Sequence, residues 1–132
     1  MPHLTLEYSA NLATLAPAFT PAAALAAINR AAFASGLFGE ADIKSRAQAC
    51  EQFCIGVEAA PRAFAHLRVA LLSGRSGEER RQLAAQLLAA LKSTVDGQNE
   101  QKPGRIPGGE IQLSVETCDL DRPSYAKDVL HG

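Results

Sequence analysis

The chain has 132 residues, 47% of them hydrophobic, and its 13 basic and 14 acidic side chains leave a formal charge of −1. This size and apolar content are typical of one globular domain, so a single domain over residues 1–132 is expected. Because neither sign of charge is in excess, the composition argues against nucleic acid or an anionic membrane as a partner. No signal peptide and no membrane span of about 20 apolar residues is evident, which predicts a cytoplasmic protein.

The first half of the sequence predicts a strand, a helix and a second strand. Apolar residues alternate with polar ones over 4–8, which indicates a strand that begins almost at the first residue. Thr20 and Pro21 form an N-cap and first-turn pair, and the Ala-rich run that follows them to Ser35 has an apolar face. A second strand is expected within 44–57, although its alternation is blurred.

The second half repeats this order. Alternation over 67–71 predicts a strand, and Ser76 and Glu79 have the spacing of a capping box at the start of a helix. That helix carries an apolar residue at every fourth position, namely Leu83, Leu87, Leu91 and Val95. After a polar segment with several Gly and Pro residues (97–109), alternation over 111–116 predicts the fourth strand.

The two halves, about 2–58 and 63–118, therefore have the layout of a duplicated β-α-β unit. A parallel strand pair needs a crossover, which the two helices supply. The expected fold is α+β, with a four-stranded mixed sheet and two helices on one face. The other face stays uncovered in one chain. We expect it to carry apolar side chains and to be buried against copies of itself, which predicts a homo-oligomer.

The cysteines and two of the histidines predict no metal site. Cys50, Cys54 and Cys118 lack CxxC spacing and lie in segments predicted as strands, which favours structural, buried thiols. His66 and His131 have no cysteine or carboxylate at the spacing of metal ligands.

Pro2 is the first residue that could carry chemistry. Removal of Met1 would leave its ring nitrogen as a free secondary amine. Cationic neighbours or an apolar pocket lower the pKa of such an amine towards neutrality, where a general base works best. Met-Pro openings are common, so this residue is informative only in context. His3 points to the opposite face of the strand, which favours packing or an interface over catalysis.

Three segments supply that context: MPHLTLEYSANL at the start, SGLFGEADIKSRA after the first helix, and SGRSGEER in the middle. They resemble the 5-carboxymethyl-2-hydroxymuconate isomerases of the tautomerase superfamily. The longer segment LLSGRSGEERRQLAAQLLAAL is also similar to the opening of 4-oxalocrotonate tautomerase. The similarity extends from Pro2 to Lys127. It implies bacterial homotrimers that need no metal or cofactor and act in the degradation of aromatic compounds such as homoprotocatechuate.

The resemblance implies roles for four residues. Pro2 matches the catalytic amine, and Arg75 matches the arginine of a Gly-Arg-Ser turn that binds a substrate carboxylate through its planar fork. The family's other functional arginine is replaced here by Lys44, which keeps the charge and loses the fork. Arg46 lies two residues further on the same side of a strand and is expected to take over part of that task.

The implied reaction uses Pro2 to move a proton from the enol oxygen of a 2-hydroxy-dienoic acid to a distant carbon, which gives the conjugated 2-oxo isomer. One alternative is a Pro2-dependent hydratase, dehalogenase or decarboxylase, which requires an additional acidic group. Candidates for that group are Glu7, Tyr8, Glu51 and Glu116. Another is a non-catalytic trimer that binds a small acid or a protein. Retention of Met1 favours the latter, because the Pro2 nitrogen would then be an amide.

Overall fold

The computed structural model describes residues 1–96 and 108–132. Four strands form one sheet: β1 (His3–Ser9), β2 (Lys44–Cys50), β3 (Arg62–Leu72) and β4 (Glu110–Leu120). The helices are α1 (Leu12–Leu15), α2 (Pro21–Ala34) and α3 (Gly77–Asp96), with single 3-10 turns at Glu40–Asp42 and Arg122–Ser124. Most of the polar segment predicted over 97–109 lies outside the described residues.

The strand order is β2-β1-β3-β4. β1 pairs in parallel with β2 and β3 pairs in parallel with β4, while β1 and β3 are antiparallel to each other. The pairing of β1 places His3 opposite both Lys44 and Ala70. The predicted α+β fold is therefore confirmed, with α2 and α3 as the crossovers of two β-α-β units.

The helices cover one face of the sheet, and the core lies between these two layers. Leu4, Leu6, Leu67 and Val69 project from the central strands and are fully buried. The predicted apolar stripe of α3 is buried over its whole length, which is the burial that stabilises most amphipathic helices. No helix in the described part of the chain is long and apolar enough to cross a membrane.

Both long helices begin at the predicted caps. The Thr20 Oγ1 accepts a hydrogen bond of 3.2 Å from the Ala23 N–H at the start of α2. At the start of α3 the Ser76 N–H donates to the Glu79 carboxylate at 3.0 Å, and the Glu79 N–H donates to the Ser76 Oγ at 3.1 Å. This reciprocal pair is a capping box, which satisfies donors that the first turn leaves free.

The second strand is shorter than predicted. β2 ends at Cys50, and the chain then bends, with a positive φ of 71° at Gly56 that no extended strand adopts. Cys54 therefore lies outside any strand and is exposed, so its prediction as a buried thiol was wrong. Cys50 and Cys118 do lie in strands, where they are partly buried.

The prediction of an apolar uncovered face is also wrong. This face is mainly polar and charged, because the alternation that sends leucine, valine and alanine towards the helices sends polar residues the other way. The Arg68 guanidinium lies 3.3 Å from the Glu116 carboxylate, and the His66 ring lies 3.2 Å from the same group. Apolar side chains such as Ala70 and Leu120 are a minority on this face, so burial of apolar surface alone does not account for assembly through it.

Candidate active site

Pro2 immediately precedes β1, and its ring is fully buried. It follows the alternation of Leu4 and Leu6 and so lies on the side of the sheet that the helices cover. Its carbonyl oxygen accepts a hydrogen bond of 3.2 Å from the Lys44 N–H, the first residue of β2. The structure thus brings Pro2 and Lys44 together, with the N-terminus at the edge of the core.

The environment of the N-terminus disfavours a charged amine. Partial burial is the largest cause that lowers the pKa of the Met1 amine, and the Lys44 ammonium lowers it further. Asp42 raises this pKa and Lys127 lowers it. The Pro2 nitrogen is one residue deeper in the fold, so removal of Met1 would place the new amine close to the same charges.

Lys44 is held by the segment that leads into β2. Its Nζ donates a hydrogen bond of 2.5 Å to the Asp42 carbonyl oxygen. Its pairing with His3 places its side chain on the sheet face opposite the buried Pro2 ring. Its ammonium group nevertheless acts on the N-terminus, because it is among the charges that lower the pKa of the Met1 amine.

Arg75 lies in the turn between β3 and α3, after Gly74, whose φ is 115°. Its Nη2 donates a hydrogen bond of 2.7 Å to the Leu37 carbonyl oxygen, and its guanidinium carbon lies 5.8 Å from the centre of the Phe38 ring. Its Nη1 is 3.9 Å from the Glu79 carboxylate. Arg75 thus meets the start of the segment that connects α2 to β2, whereas Lys44 stands at the end of that segment.

Arg46 is on the uncovered face, with Lys44, and it contacts His3 instead of the segment around Pro2. The Arg46 Nη2 lies 2.8 Å from His3 Nδ1, and Tyr125 Oη lies 3.1 Å from His3 Nε2. Because a guanidinium only donates, Nδ1 accepts and the proton of the neutral ring is on Nε2. Burial and then Arg46 lower the pKa of His3. His3 faces away from the buried Pro2 ring, as predicted, and holds Arg46 against the sheet.

Sequence analysis missed two residues at this site. Asp42 was given no role, yet its carboxylate is one of the charges that act on the N-terminal amine. Lys127 was noted only as the end of a resemblance, and its Nζ lies 2.9 Å from the Asp42 carboxylate. These partners are 85 positions apart. Only the position of Asp42 two residues before the lysine expected at the site could have drawn attention to it.

The remaining histidine contacts are with polar groups of the sheet. His66 Nδ1 lies 2.6 Å from Ser114 Oγ, and its Nε2 faces Glu116. Among residues 1–96 and 108–132, no group of three or more His, Cys, Asp or Glu side chains could hold a metal ion.

The fold is shared with solved structures of tautomerases. The chain is similar to a structure described as a fused 4-OT wild type symmetric trimer, with 19% identity and a TM-score of 0.66 over 95% of this chain and 90% of that one. It is also similar to a 5-carboxymethyl-2-hydroxymuconate delta-isomerase, with 17% identity and a TM-score of 0.69 over 100% of this chain and 89% of that one. These two likenesses establish the fold. The class of the protein, an isomerase, follows from its family.

The chain belongs to the 5-carboxymethyl-2-hydroxymuconate isomerase family, because the model of that family matches residues 2–131. It is also similar to the structure of a 5-carboxymethyl-2-hydroxymuconate isomerase from Deinococcus radiodurans R1, with 27% identity and a TM-score of 0.75. That similarity covers 96% of this chain and 88% of the other. No curated protein matches this sequence.

Proposed function

We propose that this chain, after removal of Met1, isomerises 5-carboxymethyl-2-hydroxymuconate or a similar 2-hydroxy-dienoic acid, with Pro2 as the group that carries the proton. The observation that carries this proposal is the environment of the N-terminus, where partial burial and then Lys44 lower the pKa of the Met1 amine, one residue from the Pro2 nitrogen. A lowered pKa leaves a larger fraction of an amine neutral at a given pH, and only the neutral form accepts a proton. The family supplies the reaction class.

In the proposed reaction, the neutral Pro2 nitrogen removes the proton of the enol hydroxyl group. The O–H bond breaks, and the negative charge spreads from oxygen along the conjugated chain. The same nitrogen, now protonated, returns the proton to a carbon several bonds away, and a C–H bond forms as the 2-oxo group is completed. Substrate and product have the same composition, so the step uses no oxidant, reductant or cofactor.

The proposed cations have distinct tasks in this step. Lys44, beside Pro2, would stabilise negative charge on the dienolate oxygen, which is the kind of electrostatic task that contributes most to many enzymes. Arg75 would bind a substrate carboxylate with the donors that the Leu37 carbonyl does not use. Arg46 is engaged by His3, and its proposed share of carboxylate binding is therefore the smallest of the three.

We also propose that the protein is a homotrimer whose active site borders a subunit interface. The uncovered sheet face carries a shallow concavity of about 430 Å³ whose lining includes His3, Arg46 and Arg68. Glu7 and Glu116 lie on the same face, so both signs of charge are available for pairing with another subunit. The trimeric state named for the fused 4-OT relative supports the same assembly. Sedimentation that shows a stable monomer at micromolar concentration would contradict this proposal.

Hydration, dehalogenation or decarboxylation is the second candidate function, and the contacts of its candidate acidic residues bear on it. Two of these residues have other partners: Tyr8 packs on Phe19 with ring centres 5.1 Å apart, and Glu116 pairs with Arg68. Glu7 and Glu51 are exposed. The carboxylate that acts on the amine is Asp42. Product analysis separates the candidates, since addition of water changes the mass of the product and isomerisation does not.

The first experiment is to measure the mass of the intact protein from its native source. A mass that lacks Met1 supports the amine mechanism, and Met-free protein should then convert 2-hydroxymuconate, as followed by ultraviolet absorbance. A fully retained Met1 contradicts the mechanism and favours a non-catalytic binding protein. The proposed role in bacterial degradation of aromatic compounds in the cytoplasm depends on the same result.

A further inference from the structure

The C-terminal segment extends from the turn that carries Arg75 to the segment that leads into Lys44. The Arg122 Nη2 donates a hydrogen bond of 3.0 Å to the Ser73 carbonyl oxygen, in the turn that carries Arg75. Tyr125 Oη meets His3 on the uncovered face of the sheet, and Lys127 Nζ then meets the Asp42 carboxylate at 2.9 Å. Terminal residues are ordered where contacts tie them down, and these contacts hold the segment beside the Arg75 turn and Asp42.

The position of Asp42 explains why a cation is needed there. Its N–H donates to the Gly39 carbonyl oxygen at 3.1 Å and its own carbonyl oxygen accepts from Lys44. The 3-10 turn that ends at Asp42 thereby places a carboxylate beside the proposed site, where substrate carboxylates are to bind. An unpaired carboxylate there would repel the substrate and would favour the protonated amine.

We propose that Lys127 is a positioning residue of this site, which pairs with Asp42 so that the charge of Lys44 remains available to the amine and the substrate. This inference rests on the proposed function of Pro2. The charged groups that act on the N-terminal amine are Lys44, Asp42 and Lys127. With all three present the net charge is positive, and without Lys127 it is zero.

The contact between Asp42 and Lys127 and the directions of their pKa shifts both support this pairing. Asp42 and Lys127 each shift the pKa of the other towards the ionised pair, mainly through their mutual hydrogen bond. Both side chains remain partly exposed, at 46% for Asp42 and 36% for Lys127, so water screens the interaction. Loss of Lys127 is therefore expected to raise the pKa of the amine modestly and to have little effect on folding.

The test is a charge cycle in Met-free protein, made of Lys127→Ala, Asp42→Asn and the double variant. In Lys127→Ala the acid limb of kcat/KM should move to higher pH. At pH 6 the value should fall roughly two- to fivefold, the range of an exposed ion pair. At high pH, where the amine is neutral in either protein, the loss should be limited to a rise in KM. Lys127→Arg should restore the profile.

The double variant distinguishes the pairing of Lys127 with Asp42 from any contribution of Lys127 that does not depend on the Asp42 charge. It removes both charges, so its acid limb should return towards that of the unaltered protein. The control is Lys92→Ala, an exposed lysine on α3, which should leave the profile unchanged. An unchanged profile in Lys127→Ala, or a double variant that keeps the shifted profile, overturns the inference.

A direct titration separates this inference from the proposed function. The nitrogen-15 resonance of labelled Pro2 reports the protonation state of the amine in Met-free protein, even when no turnover occurs. A higher amine pKa in Lys127→Ala supports the pairing role, and an equal or lower one overturns it. Full activity of protein that retains Met1, in which the Pro2 nitrogen is an amide, would overturn the proposed function itself, whatever the pKa measured in Lys127→Ala.

Discussion

The two β-α-β units begin in the same way and differ in chemistry. Pro2 precedes β1 and its carbonyl oxygen accepts from the first residue of β2 at 3.2 Å. Pro61 precedes β3 and accepts from the first residue of β4 at 2.9 Å. The backbone arrangement is thus repeated, but the partner is Lys44 in one unit and Glu110 in the other. The Pro61 nitrogen is also an amide that cannot accept a proton.

The turns that follow the antiparallel strands differ in a related way. Arg75 follows β3 and so lies at the end of the sheet where β1 begins. Asn11 follows β1 at the opposite end, where its side-chain amide donates to the Arg62 carbonyl oxygen at 2.8 Å. One end of the sheet therefore combines a terminal amine with Lys44 and a nearby arginine, and the other end combines an amide nitrogen with a structural hydrogen bond. The two units share the same backbone frame, and the side chains at one end of the sheet make that end a candidate site.

The largest expected effect on activity is that of replacing Pro2, and Pro61 supplies the comparison in the second unit. Pro2→Ala in Met-free protein keeps a primary amine but loses the ring that holds the nitrogen, so kcat should fall, at most by the roughly 10²–10⁴-fold that general acid–base catalysis contributes. KM should change little, because the group acts in the transition state. Pro61→Ala is the matched control at an exposed position and should keep the activity. Equal losses in the two variants, measured by ultraviolet absorbance, would show that the two ends of the sheet are not distinct.

Arg75→Ala should have the next largest effect. It removes a proposed carboxylate contact, so KM should rise and kcat/KM should fall by roughly 30-fold, or about 2 kcal/mol, the lower end for a truncated charge pair because the side chain is partly exposed. Arg81→Ala on the exposed side of α3 is the control and should keep wild-type kinetics. A fall in kcat alone would assign Arg75 to the transition state instead of to binding.

Lys44→Glu gives the first unit the charge that Glu110 has in the second. Burial and then Lys44 keep the pKa of the Met1 amine below its ordinary value, and Lys44 is expected to act on the Pro2 amine in the same way. Its loss should raise that pKa, so that more amine is protonated at a given acidic pH and the acid limb of kcat/KM moves upward. We expect a loss of about tenfold near pH 7 from reversed charge. Lys44→Arg should retain activity, and a Lys44→Glu profile equal to wild type would remove Lys44 from the site.

The smallest expected effects compare the helix caps of the two units. Thr20→Ala removes the acceptor at the start of α2, and Ser76→Ala removes half of the capping box of α3. Each should lower the free energy of unfolding by about 1 kcal/mol, as measured by urea denaturation. Ser93→Ala, at an exposed position inside α3, is the control. A much larger loss of unfolding free energy in Ser76→Ala would mean that the conformation of the turn carrying Arg75 also depends on this cap.

The parts of the fold that sequence analysis predicted well depend on local patterns. The spacing of Leu83 to Val95 and the pair Ser76 and Glu79 report a helix within a few residues of themselves, and both predictions are confirmed. The polar character of the uncovered face was also visible in the alternation of β1 and β3. An apolar surface does not follow from that alternation, because the residues between the buried ones are mostly polar.

The contacts around Pro2 could be predicted only in part. The pairing of β1 with β2 follows from the β-α-β order, and that pairing brings Lys44 to Pro2. The contact of Asp42 with Lys127 depends on where the C-terminal segment crosses the sheet, which no local pattern reports. The end of β2 was missed because residues after Cys50 have β-forming side chains but no partner strand.

The most direct test of the central claim is to titrate the Pro2 nitrogen of Met-free protein by nitrogen-15 NMR and to measure kcat/KM over the same pH range. The account predicts one transition in both measurements, at a pH below the ordinary value of an α-amino group, because burial and Lys44 disfavour the ammonium form. A Pro2 nitrogen that titrates at or above that ordinary value, while kcat/KM follows a different transition, would contradict the account.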